Sequence, residues 1–379
     1  MVTNPNTIWN GQNPNWKVEA YGPLTDKIWL DRHESSTQLK PGIYALYDTE
    51  KYATYLPSGY QQKCVIELVK INKVFGKELI LDRPVTRNSY FTAEGTRIAY
   101  VPDAIENVVY NYRNRSLRPK WFGCIYGLEI SNLHVDGYNT DALRLDLCSN
   151  VKINNCTFSN GDTEGAGMGR SLFLQWCAYC NVSEVQGETG RHLVQLSGCG
   201  NTTIANCEGK NYTSHVIDLH GLYSYDVAIQ NCYGRSCQIG NGSYDGFEST
   251  IGIKNCYFDE AMFIVGKTDL ILLNHVTSKR LALIANSTTS YSNNVQAISC
   301  VFDMPENEIP EDDPVSIVEY NPRESYGNLT LGGCKIVQNI NKPGRVCVRS
   351  IGLNGIFSDI GLNTYINANN SDPIDITYV

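Results

Sequence analysis

The apolar positions of this chain recur in a fixed pattern, which appears ten times between residues 128 and 362. Each repeat has one position, called the slot here, that follows an apolar residue by three places. The slots are Leu133, Cys156, Val185, Cys207, Cys232, Cys256, Val276, Cys300, Cys334 and Ile360. The apolar residues three places earlier are Ile130, Ile153, Val182, Ile204, Ile229, Ile253, Leu273, Ala297, Leu331 and Phe357. A unit of about 25 residues cannot bury its apolar face alone, so successive units must stack.

The repeat predicts an all-β fold, because it is rich in β-branched residues and Asn-containing turns and lacks a helical period. We expect a single right-handed parallel β-helix of about ten or more coils, with the slots facing inward. Residues 105–379 would form this solenoid and its C-terminal cap. Residues 1–40 would be an N-terminal arm or cap, and residues 41–104 would be strands that lead into the solenoid.

Cysteine placement indicates free thiols rather than disulfides. Of the 14 cysteines, six occupy slots, where a cysteine acts as a small apolar side chain. We therefore expect these six to be buried and reduced. Cys177 and Cys180 form a Cys-x-x-Cys pair, but the second pair of ligands that a zinc site needs is missing, so no zinc site is predicted.

Charge and hydropathy exclude several classes of function. The net charge of −8 argues against a nucleic-acid partner. No apolar run is long enough to predict insertion into a membrane. The N-terminus shows no signal peptide, so we expect synthesis in the cytoplasm, unless a leader has been removed. No cofactor or metal is predicted; Asp312 and Asp313 could hold calcium, but a solvated loop is the preferred interpretation.

Any polar site must lie on the outer wall, since the interior is apolar. Counted from the slots, Asp141, Glu164 and His215 lie eight residues on, Asp162 lies six and His192 seven. The sequence thus predicts a column of titratable side chains on successive coils. Neighbouring carboxyl groups drive their pKa values apart, which can supply one acid and one base.

A second set of polar residues predicts a binding surface beside that column. Asp146, Gln175, Gln195 and Asp218 form one row on successive coils and alternate with apolar residues, so they should face outward. The predicted saccharide-binding residues are Asp146, Arg170, Gln175, Arg191, Gln195, His215 and Asp218. The alternative is an ordinary solvated sheet face.

Two short motifs carry a family resemblance. Asn139-Thr140-Asp141 and Gly161-Asp162-Thr163 resemble segments of the polygalacturonase-type glycoside hydrolases, which have a right-handed, pectin-lyase-like β-helix. The resemblance implies that Asp162 is the general acid and that Asp141 helps to activate water. The family has a second acid where Thr163 stands here, and Glu164 could replace it. His192 matches the histidine of a Gly-His-Gly motif only in part, and no Arg-Ile-Lys motif follows.

The architecture is also similar to that of phage tail-spike and tail-appendage proteins, which recognise or cleave bacterial surface polysaccharides and usually form trimers. The favoured function is therefore a polysaccharide-degrading β-helix of the glycoside hydrolase type on a virion, acting outside the cell, with a possible homotrimer. A lyase of the pectate type and a glycan-binding β-helix without catalysis are the alternatives.

Overall fold

The computed structural model describes residues 15–21, 26–31, 39–53, 62–86, 95–112, 119–163, 169–220, 224–240, 247–265, 267–284, 292–305, 316–323, 326–352, 355–368 and 372–377. These residues form strands and the turns between them, and none of them is helical. Over this part of the chain, no helix has the length and apolar character needed to span a membrane.

The first six strands form a closed antiparallel barrel. They are β1 (Asn15–Tyr21), β2 (Lys27–Leu30), β3 (Gly42–Ala53), β4 (Gln62–Phe75), β5 (Glu78–Leu81) and β6 (Thr96–Tyr100). Their order around the barrel is β1-β2-β5-β4-β3-β6. Alternating apolar residues such as Val18, Ile28, Leu46 and Ile71 point into one barrel core and are fully buried.

This barrel differs from the predicted division of the N-terminal region at residue 40. Strand β1 pairs with β6, and β2 pairs with β5, so residues on both sides of that boundary share one barrel. Alternation of apolar and polar residues predicts a strand, but it is the same for antiparallel and parallel pairing. The strands of residues 41–104 consequently pair with one another and with β1 and β2.

The strands that follow wind into a solenoid. They are β7 (Ile105–Asn111), β8 (Lys120–Gly123), β9 (Ile125–Ser131), β10 (His134–Tyr138), β11 (Asp141–Asp146), β12 (Ser149–Gly161), β13 (Arg170–Gln175), β14 (Ala178–Gly187), β15 (His192–Ser197), β16 (Gly200–Ala205), β17 (Glu208–Gly209), β18 (Ile217–Leu219), β19 (Tyr225–Gln230), β20 (Tyr233–Gly234) and β21 (Cys237–Ile239). The later coils contain β22 (Phe247–Lys254), β23 (Tyr257–Val265), β24 (Lys267–Thr268), β25 (Leu270–Asn274), β26 (Thr277–Ile284), β27 (Ser292–Ile298), β28 (Val301–Met304), β29 (Ser316–Arg323), β30 (Tyr326–Gly332), β31 (Lys335–Gln338), β32 (Val346–Gly352), β33 (Gly355–Asp359), β34 (Thr364–Asn367) and β35 (Ile374–Thr377).

The coils form three parallel sheets, named A, B and C. Sheet A contains β7, β9, β16, β19, β22, β25, β27, β30 and β33; sheet B contains β10, β17, β20, β28, β31 and β34; sheet C contains β8, β11, β13, β15, β18, β21, β29, β32 and β35. The short strand β24 pairs with the first residues of β22. The strands β12 and β14 bend from A into B, and β23 and β26 bend from B into C. This arrangement confirms the predicted right-handed parallel β-helix.

The solenoid interior is apolar, and the slots lie in it. The first nine slot residues are buried, and so are the apolar residues three places before them. All of the cysteines whose side chains the structure describes, including the six in slots, are buried and free. The phase of the first nine repeats is therefore confirmed.

The tenth repeat was placed two residues out of register, because Leu329 pairs with Phe357 and Ile360 is 64% exposed. The corner between sheets A and B explains this. It contains two residues in the earlier coils, such as Asn231-Cys232, but four between β33 and β34. The apolar residues Phe357 and Ile360 happen to reproduce the usual spacing, so the longer corner was invisible in the sequence.

Asparagine suits the A–B corner because the first corner residue has a positive φ, which is costly for most side chains but less so for Asn. Its φ is 57° at Asn132, 52° at Asn155, 52° at Asn231 and 53° at Asn255. The amide groups also bond from coil to coil, as Asn155 Nδ2 donates to Asn132 Oδ1 at 2.7 Å and Asn231 Nδ2 donates to Asn206 Oδ1 at 3.1 Å. These bonds fix the stacking register along this corner.

Apolar residues at another corner join the barrel to the first coils. Cys124, Leu147 and Trp176 also have positive φ values, of 55°, 52° and 53°. They pack outward against barrel residues that include Ile43 and Leu68 in one buried cluster. The barrel therefore lies against the C–A corner and leaves the outer face of sheet C to other contacts.

Candidate functional site

The outer face of sheet C carries polar side chains that are buried. On β11, Leu143 and Leu145 point inward, so Arg144 and Asp146 point outward. Strand pairing places Asp141, Arg170 and His192 in one column. A second column on the same face contains Arg144, Phe173, Gln195, Asp218 and Gln238.

One group of these side chains is centred on Arg144. We call it the Arg144 cluster, and it consists of Trp121, Asp141, Arg144, Asp146, Arg170, Phe173 and Gln175. Asp141 Oδ1 accepts a hydrogen bond from Arg170 Nε at 2.5 Å, and its Oδ2 lies 3.6 Å from Arg144 Nη1. Asp146 Oδ2 accepts from Arg144 Nε at 2.9 Å and from Trp121 Nε1 at 2.6 Å. Charge pairing makes burial of these carboxylates tolerable.

Aromatic rings hold both guanidinium groups. Arg144 lies 4.9 Å from the ring centre of Trp121 and 5.1 Å from that of Phe173, and Arg170 lies 4.3 Å from Phe173. Arg144 Nη2 also donates to Gln175 Oε1 at 3.0 Å. Trp121 itself is 49% exposed, so the cluster presents a fixed aromatic surface to solvent.

The two carboxyl groups of this cluster are close to each other. Since Asp141 and Asp146 both contact the guanidinium of Arg144, they lie at most about 9 Å apart, below the upper limit of about 9.5 Å found in two-carboxylate glycosidases. Burial raises the pKa of Asp146 above its usual range, although Arg144 and the hydrogen bond from Trp121 oppose that change.

A second group is centred on Asp218, which is almost fully buried. We call it the Asp218 cluster: His192, Gln195, His215, Asp218, His220 and Gln238. The carboxylate accepts hydrogen bonds from Gln195 Nε2 and His220 Nδ1, both at 3.0 Å, and from Gln238 Nε2 at 3.4 Å. Burial alone would raise the pKa of Asp218, but the hydrogen bond from His220 and the nearby histidines outweigh it and lower the pKa.

His192 is held in its neutral form. Burial lowers its pKa to about 4, although the charge of Asp218 acts in the opposite direction. Its Nδ1 donates to the carbonyl oxygen of His215 at 2.9 Å, and the two rings stack with centres 6.1 Å apart. Burial also lowers the pKa of His215, whose Nδ1 shares a hydrogen bond with Ser236 Oγ at 2.9 Å. The site therefore contains two uncharged imidazoles at neutral pH.

The predicted column is only partly formed. Asp141 and His192 do share a column, but the residue between them is Arg170. Asp162 follows β12 in the connection from sheet B to sheet C, and its amide donates to Tyr138 O at 2.9 Å. Counting residues from the slot misplaces Asp162, because this connection is longer than those of the neighbouring coils. Glu164 lies outside the described residues.

Asp162 is nevertheless close to the Arg144 cluster. The backbone of Gly169 packs so tightly on Asp162 that a Cβ at Gly169 would lie 1.7 Å from the carbonyl oxygen of Asp162. Gly169 directly precedes Arg170, the partner of Asp141. Asp162 is partly exposed, so it lies at the margin of the cluster rather than inside it. Arg191, whose amide donates to Gly169 O at 2.8 Å, lies on the next coil.

The predicted row of Asp146, Gln175, Gln195 and Asp218 is in fact two columns. Asp146 pairs with Gln175, and Gln195 pairs with Asp218, but Gln175 pairs with Ser197. The predicted row aligned Gln175 with Gln195, which is two residues away from its actual partner Ser197. A shift of two residues keeps every side chain on the same face, so an alternating pattern cannot reveal it.

Several members of the site were not predicted from the sequence. Trp121, Arg144, Phe173 and Gln238 were not singled out, although Arg144 lies between two apolar residues and was therefore recognisable as outward-facing. Among the residues described, no group of three or more His, Cys, Asp or Glu side chains could hold a metal ion. Asp312 and Asp313 lie outside the described residues.

Comparisons with known proteins identify the fold. No family model and no curated protein matches the chain. Solved structures do match, and the fold is the right-handed parallel β-helix of phage tailspike proteins.

Three tailspikes illustrate this similarity. The tailspike gp49 of Pseudomonas phage LKA1 is 14% identical with a TM-score of 0.57, and the match covers 93% of this chain and 61% of that one. The tailspike gp61 of Pseudomonas phage phi297 is 11% identical with a TM-score of 0.54, covering 95% and 65%. The tailspike gp54 of Acinetobacter baumannii bacteriophage AP22, in complex with A. baumannii capsular saccharide, is 12% identical with a TM-score of 0.53, covering 96% and 64%. The chain thus spans less than two thirds of each tailspike.

Proposed function

We propose that the outer face of sheet C binds a bacterial surface polysaccharide and that the protein hydrolyses it as part of a phage tail appendage. The observation that carries this proposal is the Arg144 cluster, in which an exposed Trp121 lies beside two closely spaced carboxyl groups. The capsular saccharide in the AP22 tailspike structure supports the choice of ligand.

The cluster suits a sugar because it combines an aromatic face with fixed polar groups. The apolar face of a pyranose packs on an aromatic ring, and its hydroxyl groups bond to planar amide, guanidinium and carboxylate groups. Trp121 offers the ring, and Arg144, Asp146 and Gln175 offer the polar groups. Ion pairing holds these side chains in place before the ligand arrives, which lowers the entropy cost of binding. Further binding residues are Arg170, Arg191, Gln195, His215 and Asp218.

Hydrolysis needs a proton donor for the leaving oxygen and a carboxylate that accepts a proton from water. Asp162 is the proposed donor, since it is partly exposed at the margin of the cluster. Asp141, which Arg170 holds in position, is the proposed base, with Glu164 as the alternative. Neutral His192 adds no positive charge to the site.

The release of reducing ends from bacterial capsular polysaccharides tests this proposal. Asp162→Asn should lower the rate by about 10²–10⁴-fold, and Trp121→Ala should weaken binding about tenfold. Glu129→Gln is the matched control, because Glu129 is an exposed carboxylate on sheet A. If Asp162→Asn keeps the full rate and Asp146→Asn loses it, the donor is Asp146 instead. A parent protein that releases no reducing ends contradicts the hydrolase.

One observation favours glycan binding without cleavage as a second candidate. Asp141, Asp146 and Asp218 each have cationic or amide partners, which is the state expected of carboxylates that organise a binding surface. In that case the parent binds polysaccharide without shortening it, and Trp121→Ala still weakens binding.

The trimer is also part of the proposal, and sedimentation equilibrium of the purified protein measures it directly.

A further inference from the structure

A second groove lies on the outer face of sheet B, away from the two clusters of sheet C. It has a volume of about 340 Å³, which falls within the range of about 300–1,000 Å³ typical of small-molecule sites. Its walls combine polar side chains with slightly more apolar than polar surface. The lining residues are His134, Thr157, Phe158, Ser159, Gln186, Gly187, Glu188, Glu208 and Lys210.

The floor of this groove is a straight column of outward side chains. Strand pairing places His134, Thr157, Gln186 and Glu208 in register on four successive coils. The same column continues with Tyr233, which pairs with Glu208. The groove therefore runs parallel to the solenoid axis, and Tyr233 lies one coil beyond it in the same column.

Two exposed tyrosines lie next to the groove in that direction. Tyr233 and Tyr257 are 40% and 45% exposed, and their rings stack with centres 5.3 Å apart and planes 8° apart. Tyr233 Oη also donates to Asp259 Oδ1 at 3.2 Å, which fixes its ring. An exposed ring fixed in this way is a preformed surface on which the apolar face of a sugar can pack.

The polar groups of the groove are acceptor-rich and carry an excess of negative charge. Glu188 and Glu208 provide two carboxylates, and Lys210 Nζ pairs with Glu208 Oε1 at 3.1 Å. Gln186 and Glu188 are exposed, and no residue in the described part of the chain bonds to their side chains. Such a surface accepts hydrogen bonds from hydroxyl groups and repels a uronate.

We infer that this groove is a second saccharide-binding site, separate from the one on sheet C, and that it takes an uncharged, hydroxyl-rich polysaccharide segment along the solenoid axis. Tyr233 packs on a sugar ring, while Gln186, Glu188 and Glu208 accept hydrogen bonds from its hydroxyl groups. A chain held at two faces gains avidity without any new contact in either site.

Calorimetric titration of the full chain tests this inference. The probes are uncharged cello-, malto- and N-acetylchito-oligosaccharides, with oligogalacturonates of equal length as the acidic comparison. The double variant Gln186→Ala/Tyr233→Ala should bind the best uncharged probe about tenfold more weakly. Tyr233→Phe should retain the affinity, because it keeps the ring. Phe75→Ala, which removes a 60% exposed ring from the barrel, should change affinity less than about twofold.

The outcomes separate this groove from the site on sheet C. Trp121→Ala should leave this binding within about twofold, whereas loss of binding in that variant assigns the probe to sheet C and overturns the inference. The inference also fails if no uncharged probe binds the parent, if the double variant binds as the parent does, or if oligogalacturonate binds as tightly. Thermal unfolding of each variant confirms that the fold is retained.

Discussion

Both faces of sheet C contain buried side chains, yet different interactions stabilise them. On the inner face, Leu172 lies in register between Leu143 and Val194, and all three are fully buried among apolar neighbours. On the outer face, Arg170 lies between Asp141 and His192, where ion pairs and hydrogen bonds satisfy the polar groups. The inner face needs only apolar volume, whereas the outer face needs particular partners. Burial alone therefore does not distinguish the core from a site.

The largest effect should follow from removing volume on the inner face. Leu172→Ala should lower the free energy of unfolding by about 2–5 kcal/mol, because it leaves a cavity that the rigid coils cannot close. Leu172→Met keeps most of the volume and should cost less than about 1.5 kcal/mol. Denaturant unfolding of both variants measures the difference. Equal stabilities would mean that this face tolerates cavities and that the comparison of the two faces is wrong.

The outer face should instead make stability depend on pH, because His192 is buried in its neutral form. Its folded pKa is about 4, below the usual 6.5, so between these values the unfolded chain binds a proton that the folded chain does not. Stability contributed by this group is complete above pH 6.5 and falls as the pH drops towards 4, by about 3 kcal/mol in total.

His192→Gln should remove that part of the pH dependence, as measured by unfolding between pH 4 and 7.5. His275→Asn is the control, since His275 is exposed at the A–B corner, where other coils carry asparagine. A parent protein whose stability does not decline below pH 6.5 would contradict the buried neutral imidazole.

A smaller loss should follow from breaking the ion pair on the outer face. In Arg170→Met, the remaining cationic contact of Asp141 is Arg144 at 3.6 Å. The free energy of unfolding should therefore fall by about 1–3 kcal/mol. Lys152→Met, an exposed change on sheet A, should stay within about 0.5 kcal/mol of the parent. If the two variants are equally stable, the outer face behaves as ordinary surface.

The smallest effect belongs to a corner that lies outside both faces. Asn231→Ala loses the hydrogen bond to Asn206 and places alanine at a φ of 52°, so it should cost about 1 kcal/mol. Asn231→Gly relieves the backbone strain and should cost less than the alanine variant. Thermal unfolding of the pair tests this order, and the reverse order would show that backbone strain at this positive φ does not decide the stability of the corner.

The sequence predicted the solenoid because its repeat is long and its inward positions demand apolar residues. The slot cysteines are the clearest case, since six of them share one phase and all are buried. The barrel was not predicted, because β3 and β4 alternate in the same way whether they pair antiparallel or parallel.

The site was harder to predict than the fold. Asp141 and His192 lie in one column of one face with Arg170 between them, but Arg144 and Trp121 were missed. An outward position can be read from alternation, whereas its partner depends on the register between coils. That register depends on the length of each connection: the offset between coils is 23 residues from Tyr138 to Gly161 but 29 residues from Asp141 to Arg170.

The two-residue corner between sheets A and B has a consequence for how such a chain can diversify. Positive φ values and the coil-to-coil bonds of Asn132, Asn155 and Asn231 tie this corner to its neighbours, and among the described coils it lengthens only between β33 and β34. The longest repeats, of 29 and 34 residues, instead lengthen the connection from sheet B to sheet C. The first of these connections begins beside Asp162. Insertions and deletions can therefore accumulate at the margin of the candidate site while the coils stay in register, so a lineage of such proteins can change its ligand without rebuilding its fold.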